Sequence, residues 1–136
     1  IIADGHHIHP ATFRIAVSAK HIGGAILVTD AMPTVGSKRK SFELGGEVIT
    51  ASNGRLANAA GTLAGSDLDM LSAVKNAMRF AGLDWLEAVR MATVYPANAL
   101  GLAGELGAIK PGYRASMLAF DAAHRMRASW IDGLRV

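Results

Sequence analysis

The chain has 136 residues, of which 51% are hydrophobic and 18% charged, with 15 glycines and no cysteine. It is too apolar for a disordered chain, and no apolar run reaches the ~18 residues of a membrane span, so a soluble, core-forming protein without a membrane partner is expected. Its 14 basic and 11 acidic residues leave +3; the longest basic run, Lys38-Arg39-Lys40, carries no aromatic residue, so no nucleic-acid partner is expected, and the lack of Cys excludes disulfide frameworks and thiolate metal sites.

In chain order, Ile1-Ile2-Ala3 is a short apolar strand closed by Asp4-Gly5, followed by His6, His7 and His9. Pro10 suits a first helical turn, and a helix is expected over 11–20, stopped by Gly23-Gly24. Ala25 to Thr29 is continuously apolar and partly β-branched, as in a parallel strand covered on both faces, and Asp30 ends it. After a loop over 31–41, Phe42-Glu43-Leu44, Gly45-Gly46 and Glu47 to Thr50 give a hairpin signal. Asn53-Gly54 marks a second tight turn, with Arg55-Leu56 continuing the ribbon. Thr62 to Ser66 reads as a short strand and loop.

Ser66 or Asp67 is expected to cap a helix whose apolar residues, from Leu68 to Ala81, repeat at helical spacing, with Gly82 ending it. Asp84 and Glu87 give a capping-box-like start to a helix over 85–92. One further turn over 97–100 precedes Gly101. Beyond Gly104 the pattern becomes strands and turns: Ala115 to Phe120, Ser129 to Ile131, the Asp132-Gly133 turn, and Leu134 to Val136. The expected class is α/β, with a domain boundary near residue 105: residues 1–105 of βαβα character and 106–136 of β character. A closed (β/α)8 barrel needs ~250 residues, so the chain supplies at most the last third of one. Ile1 opens inside an apolar run and Leu134-Arg135-Val136 is an apolar arm, which points to a fragment of a longer protein. Neither end reads as a targeting segment, consistent with a cytoplasmic protein.

Three stretches could carry chemistry. Asp30 stands where an apolar parallel strand meets a long loop, the end at which barrel side chains face an active-site mouth. A carboxylate there suits a general base; the alternative is a plain loop or cap carboxylate. His7 and His9 are two apart, so on a strand they would face the same way, as a pair able to share one Zn²⁺; in a loop between Asp4-Gly5 and Pro10 they would point independently, with one of them contacting a ligand. His21 reads as a charge favourable at a helix end, and His124 as a surface residue. Thr62-Leu63-Ala64-Gly65-Ser66 is a Gly-containing turn that opens a helix, suited to a polar ligand or simply a helix start.

Together these stretches resemble the N-acetylglucosamine-6-phosphate deacetylases of the amidohydrolase superfamily. The carriers are Ile1 to His7, Leu27-Val28-Thr29-Asp30-Ala31-Met32, the ribbon from Phe42 to Leu56, Gly61 to Ser66, Met91-Ala92-Thr93 with Tyr95-Pro96-Ala97, and Gly107-Ala108-Ile109 with Pro111-Gly112. The resemblance implies the C-terminal part of a (β/α)8 TIM barrel plus strands of a small β-sandwich domain. It implies hydrolysis of the acetamide of N-acetylglucosamine 6-phosphate to glucosamine 6-phosphate and acetate, with a homodimer as the full-length protein.

By the same resemblance, Asp30 is the catalytic Asp, taking a proton from a metal-bound water and returning one to the leaving amine. His7 contacts the sugar phosphate, Asp4, Gly5 and His6 form the loop that holds it, and Leu63, Ala64, Gly65 and Ser66 line the sugar pocket. The divalent metal, Zn²⁺ by expectation, is held by a Glu and two His that nothing in this chain matches. His6 stands where a less polar residue is usual. The expected consequence is a fragment inactive alone. The rivals are an amidohydrolase acting on another N-acyl sugar, among which Gly61 to Ser66 does not choose, or on a cyclic amide, against which that stretch argues, and a non-catalytic sugar-phosphate-binding module, against which Asp30 argues.

Overall fold

A computed structural model describes residues 1–136. They group into two compact units, Ile1–Ala92 and Thr93–Val136.

In the first unit, the two apolar segments expected as strands lie side by side and parallel, paired at Ile2 and Val28. The amino group of Ile1 donates to Ile26 O at 2.7 Å, Val28 N donates to Ile1 O at 3.1 Å, and Leu27 N donates to Met91 O at 3.0 Å. A further parallel pairing joins Ala31 to Ser66. The strand expected over 25–29 is thus reduced to single bridges, because its backbone groups are shared among three different neighbours and no ladder forms. Nor are both its faces covered: Leu27 is buried, whereas Val28 is 47% exposed.

Helix α1 spans Pro10–Ser18, two residues short of the expected end. Pro10 occupies its first turn, and the His9 ring accepts from Ala11 N at 3.2 Å as the N-cap. Helix α2 spans Met70–Ala81. Its N-cap is Asp69, not Ser66 or Asp67: the Asp69 carboxylate reaches Ser72 N at 2.9 Å, while the hydroxyl of Ser66 is engaged elsewhere. Gly82 closes it in a left-handed conformation, donating to Met78 O at 2.8 Å. Phe13 of α1, fully buried, meets Phe80 of α2 edge to face at 5.8 Å; such a pair adds about 0.5–1.5 kcal/mol to the area it buries. Asn76 of α2 donates to Ala3 O at 2.8 Å and so holds the first segment over the helix. Helix α3, Trp85–Arg90, starts at the expected Asp84, which accepts from Glu87 N at 2.8 Å.

The expected ribbon is present. Strands β1 (Ser41–Leu44), β2 (Glu47–Ser52), β3 (Arg55–Ala57) and β4 (Leu63–Ser66) form one antiparallel sheet in that order. It turns at Gly45-Gly46 and at Asn53-Gly54, and it shifts register between Arg55 and Ala57. Leu56 and Ile49 are its buried anchors. Of the basic run, Lys38 and Arg39 are not buried, but Lys40 is fastened: its ammonium donates to Thr34 O at 2.9 Å and to the Asp67 carboxylate at 2.8 and 3.1 Å.

The second unit holds helix α4 (Val94–Ala99) and strands β5 (Met117–Phe120), β6 (Met126–Ile131) and β7 (Leu134–Arg135), an antiparallel meander. Helix α4 begins three residues before the expected turn. It groups with the C-terminal strands because the chain leaving it folds back on it: Leu102 N donates to Ala97 O at 2.8 Å, and Gly107 packs against Ala97, Thr93 and Val94. Arg114 grips Asp132 with two bonds of 2.9 and 2.8 Å, and Gly133 N donates to Ala115 O at 2.8 Å. No helix of the chain is long and apolar enough to cross a membrane.

Candidate functional site

The parallel segments 1–3 and 26–29 end together, so the residues just past them, Asp4 to His7 and Asp30, are neighbours. Gly5 makes this possible on one side. At φ +79° it folds the chain back so that the Asp4 carboxylate meets the backbone of the residues it precedes. Asp4 Oδ1 accepts from His6 N and His7 N, each at 2.9 Å, and Oδ2 is 2.7 Å from His7 Nδ1. Burial pushes the Asp4 carboxyl up, but these bonds outweigh it and hold the pKa below its ordinary value. Asp4 is therefore an ionised acceptor at neutral pH. His7 Nδ1 must be the donor in that pair, which fixes the ring and turns Nε2 outward.

His7 Nε2 stands 3.8 Å from Asp30 Oδ2, beyond hydrogen-bond reach. Asp30 is 53% exposed at its side chain and has φ +54°, a left-handed conformation uncommon outside glycine. Two side-chain carboxylates and one imidazole thus form a line, Asp4–His7–Asp30, with its open end at Asp30.

Behind Asp30 runs β4. Ser66 N donates to Asp30 O at 2.8 Å, Met32 N donates to Ser66 O at 3.0 Å, and Ser66 Oγ donates to Thr29 O at 2.6 Å while accepting from Leu68 N at 3.1 Å. Gly65, at φ +89°, lies so close to the loop that a Cβ would collide with the Met32 side chain and stand 3.1 Å from Asp30 O. The sequence thus brings Gly65 and Ser66 to Asp30, but through the backbone: Ser66 is fully buried and its hydroxyl is spent. Leu63 and Ala64 lie earlier on β4, half-buried.

His6 points another way. Its Nε2 is 3.3 Å from Asn53 O, and it lines an open groove of about 420 Å³ with Arg55, Asn53 and Ser52. His9 caps α1, so the alternative of a metal shared by His7 and His9 is not what the fold builds. His21 lies three residues past the end of α1, in a turn closed by Gly24 N. No group of three or more His, Asp or Glu side chains gathers to hold a metal. The sequence does not mark the Asp4–His7 pair as a unit by any familiar motif, although its i, i+3 spacing across a glycine was the available signal. Nor does it mark Lys40 as a fastening of the loop after Asp30.

The chain that builds this arrangement, with polar side chains at the carboxyl ends of parallel segments, matches a known family. The model of the amidohydrolase family covers residues 1–134, and the chain belongs to that family. Within it, the chain is 40% identical over 134 residues to the N-acetylgalactosamine-6-phosphate deacetylase of Escherichia coli O157:H7, covering 98% of this chain and 35% of that protein. A protein of Escherichia coli K12, provisionally given the same name, is also 40% identical, and 79% of it is covered. The N-acetylglucosamine-6-phosphate deacetylase of Vibrio furnissii is 36% identical, with 33% covered. The crystal structure of N-acetylglucosamine-6-phosphate deacetylase from Pasteurella multocida matches the whole chain at 31% identity and a TM-score of 0.93, over 36% of its own length. The mixed α/β fold is therefore that of a segment of these deacetylases, and the chain spans about a third of the length of most of them.

Proposed function

We propose that this chain belongs to a parent enzyme that hydrolyses the acetamide of an N-acetylated hexosamine 6-phosphate, releasing acetate and the free amino sugar phosphate. The observation that carries this reading is Asp30: a half-exposed carboxylate at the end of a parallel segment, in line with a His7 ring fixed by Asp4. Residues 1–105 would belong to a (β/α)8 barrel and 106–136 to strands of a small β-sandwich domain, with the parent a cytoplasmic homodimer.

Asp30 accepts a proton from the attacking water as its oxygen bonds to the acetamide carbon. When the carbon–nitrogen bond breaks, the same carboxyl returns that proton to the departing amine, leaving acetic acid and a neutral amino group, which become acetate and ammonium as the remaining acid proton moves to the amine. His7, with Nδ1 committed to Asp4, offers Nε2 to a polar group of the sugar phosphate. Asp4, Gly5 and His6 shape that loop. Gly65 keeps β4 close against the Asp30 turn, and Leu63 and Ala64 sit on the strand that borders it. A bound divalent metal, Zn²⁺ by family habit, would supply acidification of the water and polarisation of the carbonyl. The donors here fit only the edge of such a site, Asp30 with His7, so its principal ligands are assigned to the part of the parent outside these residues.

The 40% identity to proteins named for the galacto sugar favours a second reading of the substrate, N-acetylgalactosamine 6-phosphate in place of N-acetylglucosamine 6-phosphate. The test is acetate release by the full-length parent, metal-loaded, from both phosphorylated sugars and from their unphosphorylated forms. Release from one or both phosphorylated sugars, falling by about 10²–10⁴-fold in Asp30→Asn with affinity for the sugar phosphate kept, is the expected result. Turnover that survives Asp30→Asn overturns the role of Asp30, and no release from any N-acetyl sugar overturns the substrate.

A further inference from the structure

We infer that Ser66 is the positioning residue that sets the aim of Asp30, a role distinct from lining the sugar pocket. The inference rests on the proposal that Asp30 is the proton-transferring carboxylate.

The direction of the Asp30 side chain depends on its backbone. Its carboxylate is half exposed, and His7 Nε2, 3.8 Å away, is too far to orient it. What is unusual is φ +54° at a residue with a Cβ. Such conformations are costly and persist only where the surroundings over-determine them. The two peptide planes that flank the Asp30 Cα define that angle, and Ser66 holds both. The plane before Asp30 is held through Thr29 O, which takes the Ser66 hydroxyl at 2.6 Å. The plane after it is held through Asp30 O, which takes Ser66 N at 2.8 Å. One residue further, Met32 N donates back to Ser66 O at 3.0 Å.

Ser66 is itself held on several sides. It is fully buried, paired in register with Arg55 of β3, and its hydroxyl also accepts from Leu68 N at 3.1 Å. A hydroxyl suits this place because it donates and accepts at once, tying Thr29 O, 37 residues earlier in the chain, to Leu68 N. Alanine would leave a part-buried carbonyl, Thr29 O, and a buried amide, Leu68 N, without this partner and free the Thr29–Asp30 peptide to rotate toward negative φ. The carboxylate would then swing with its Cα–Cβ bond.

The test uses the full-length, metal-loaded parent with Ser66→Ala and the near-isosteric Ser66→Cys, whose thiol is a weaker donor. Displacement of a catalytic group by about 1 Å costs on the order of 10²-fold. The expected result is kcat lowered by about 10- to 100-fold in Ser66→Ala and by less in Ser66→Cys, with KM nearly constant. The crystal structure of Ser66→Ala should show Asp30 outside the left-handed region. Val74→Ala, a buried change in α2 outside the hydrogen bonds of this turn, serves as the control: it lowers Tm and leaves kcat unchanged. Unchanged kcat with Asp30 still at positive φ in Ser66→Ala overturns the inference. So does a rise in KM at constant kcat, which would make Ser66 a substrate contact. Asp30→Asn separates the two levels: if it keeps turnover, the proposed reaction fails; if it abolishes turnover while Ser66→Ala has no effect, only the positioning role fails.

Discussion

Thr34 Oγ1 is buried and has no hydrogen-bond partner, while the same residue's carbonyl takes the Lys40 ammonium. A hydroxyl taken out of water without a partner costs about 1–3 kcal/mol. Replacing Thr34 with Val removes that burden at nearly constant volume, so Tm of Thr34→Val should rise, by an amount equivalent to about 1 kcal/mol. Unchanged or lowered Tm in thermal denaturation would show that the hydroxyl is satisfied in solution. At this scale the sequence was legible where chemistry follows from position. Asp30 could be singled out because an apolar run ends on it, and His7 because the resemblance pointed to it. Ser66 was visible only as a helix cap or a pocket residue, because its partners, Thr29 and Asp30, are far away in sequence and no local pattern encodes a hydroxyl's acceptor. The orphaned Thr34 hydroxyl is invisible for the same reason.

Elements were more readable than contacts. Turns at Asn53-Gly54 and Gly45-Gly46 fixed the ribbon, and Gly82 fixed the end of α2, because each needs backbone freedom that few residues supply. The start of α2 was misplaced by two or three residues. Ser66, Asp67 and Asp69 are all good caps, and only the prior engagement of Ser66 with Thr29 and of Asp67 with Lys40 leaves Asp69 for the task. Burial pushes the Asp69 carboxyl up, but bonds from the Ser72 hydroxyl and from the Ser72 and Leu71 backbone outweigh it and lower its pKa. A carboxyl with a lowered folded pKa contributes stability that is present above its unfolded value of about 3.9 and is lost as pH falls through the folded value. Asp69→Ala should therefore cost about 1 kcal/mol at pH 7, and the gap to the parent sequence should narrow below pH 4. Denaturant titrations at the two pH values measure it; a gap that persists at low pH would mean the cap does not depend on charge.

For the molecule as a whole, many large apolar side chains are exposed in both units, among them Ile15 at 68%, Ile22 at 84%, Leu86 at 62%, Ile109 at 83% and Leu134 at 74%. A span equal to about a third of most relatives, with apolar surface of this extent, is expected to depend on surface supplied by the rest of the parent. The 136-residue chain expressed alone should show no acetate release from either sugar phosphate and should self-associate as concentration rises, which light scattering after size exclusion would detect. Measurable turnover by a monomer of this chain would overturn the assignment of the principal metal ligands to the remainder of the parent. The α/β class was legible from alternating strand and helix signals. The single-bridge pairing of segments 1–3 and 26–29 was not, because strand length depends on neighbours that a sequence does not show.

The left-handed backbone at Asp30 also bears on how this family can change. Few side chains tolerate that bend, and Asn is the one closest to Asp in shape. Either aspartate codon becomes an asparagine codon through a single base change. With Asp30 as the proton acceptor proposed above, the shortest mutational route away from hydrolysis leads to a chain expected to keep its fold and its affinity for the sugar phosphate and to lack only that acceptor. On that proposal, a sensor or carrier of amino-sugar phosphates lies one substitution from the enzyme, and the residue at position 30 is the first place to look for one among its relatives.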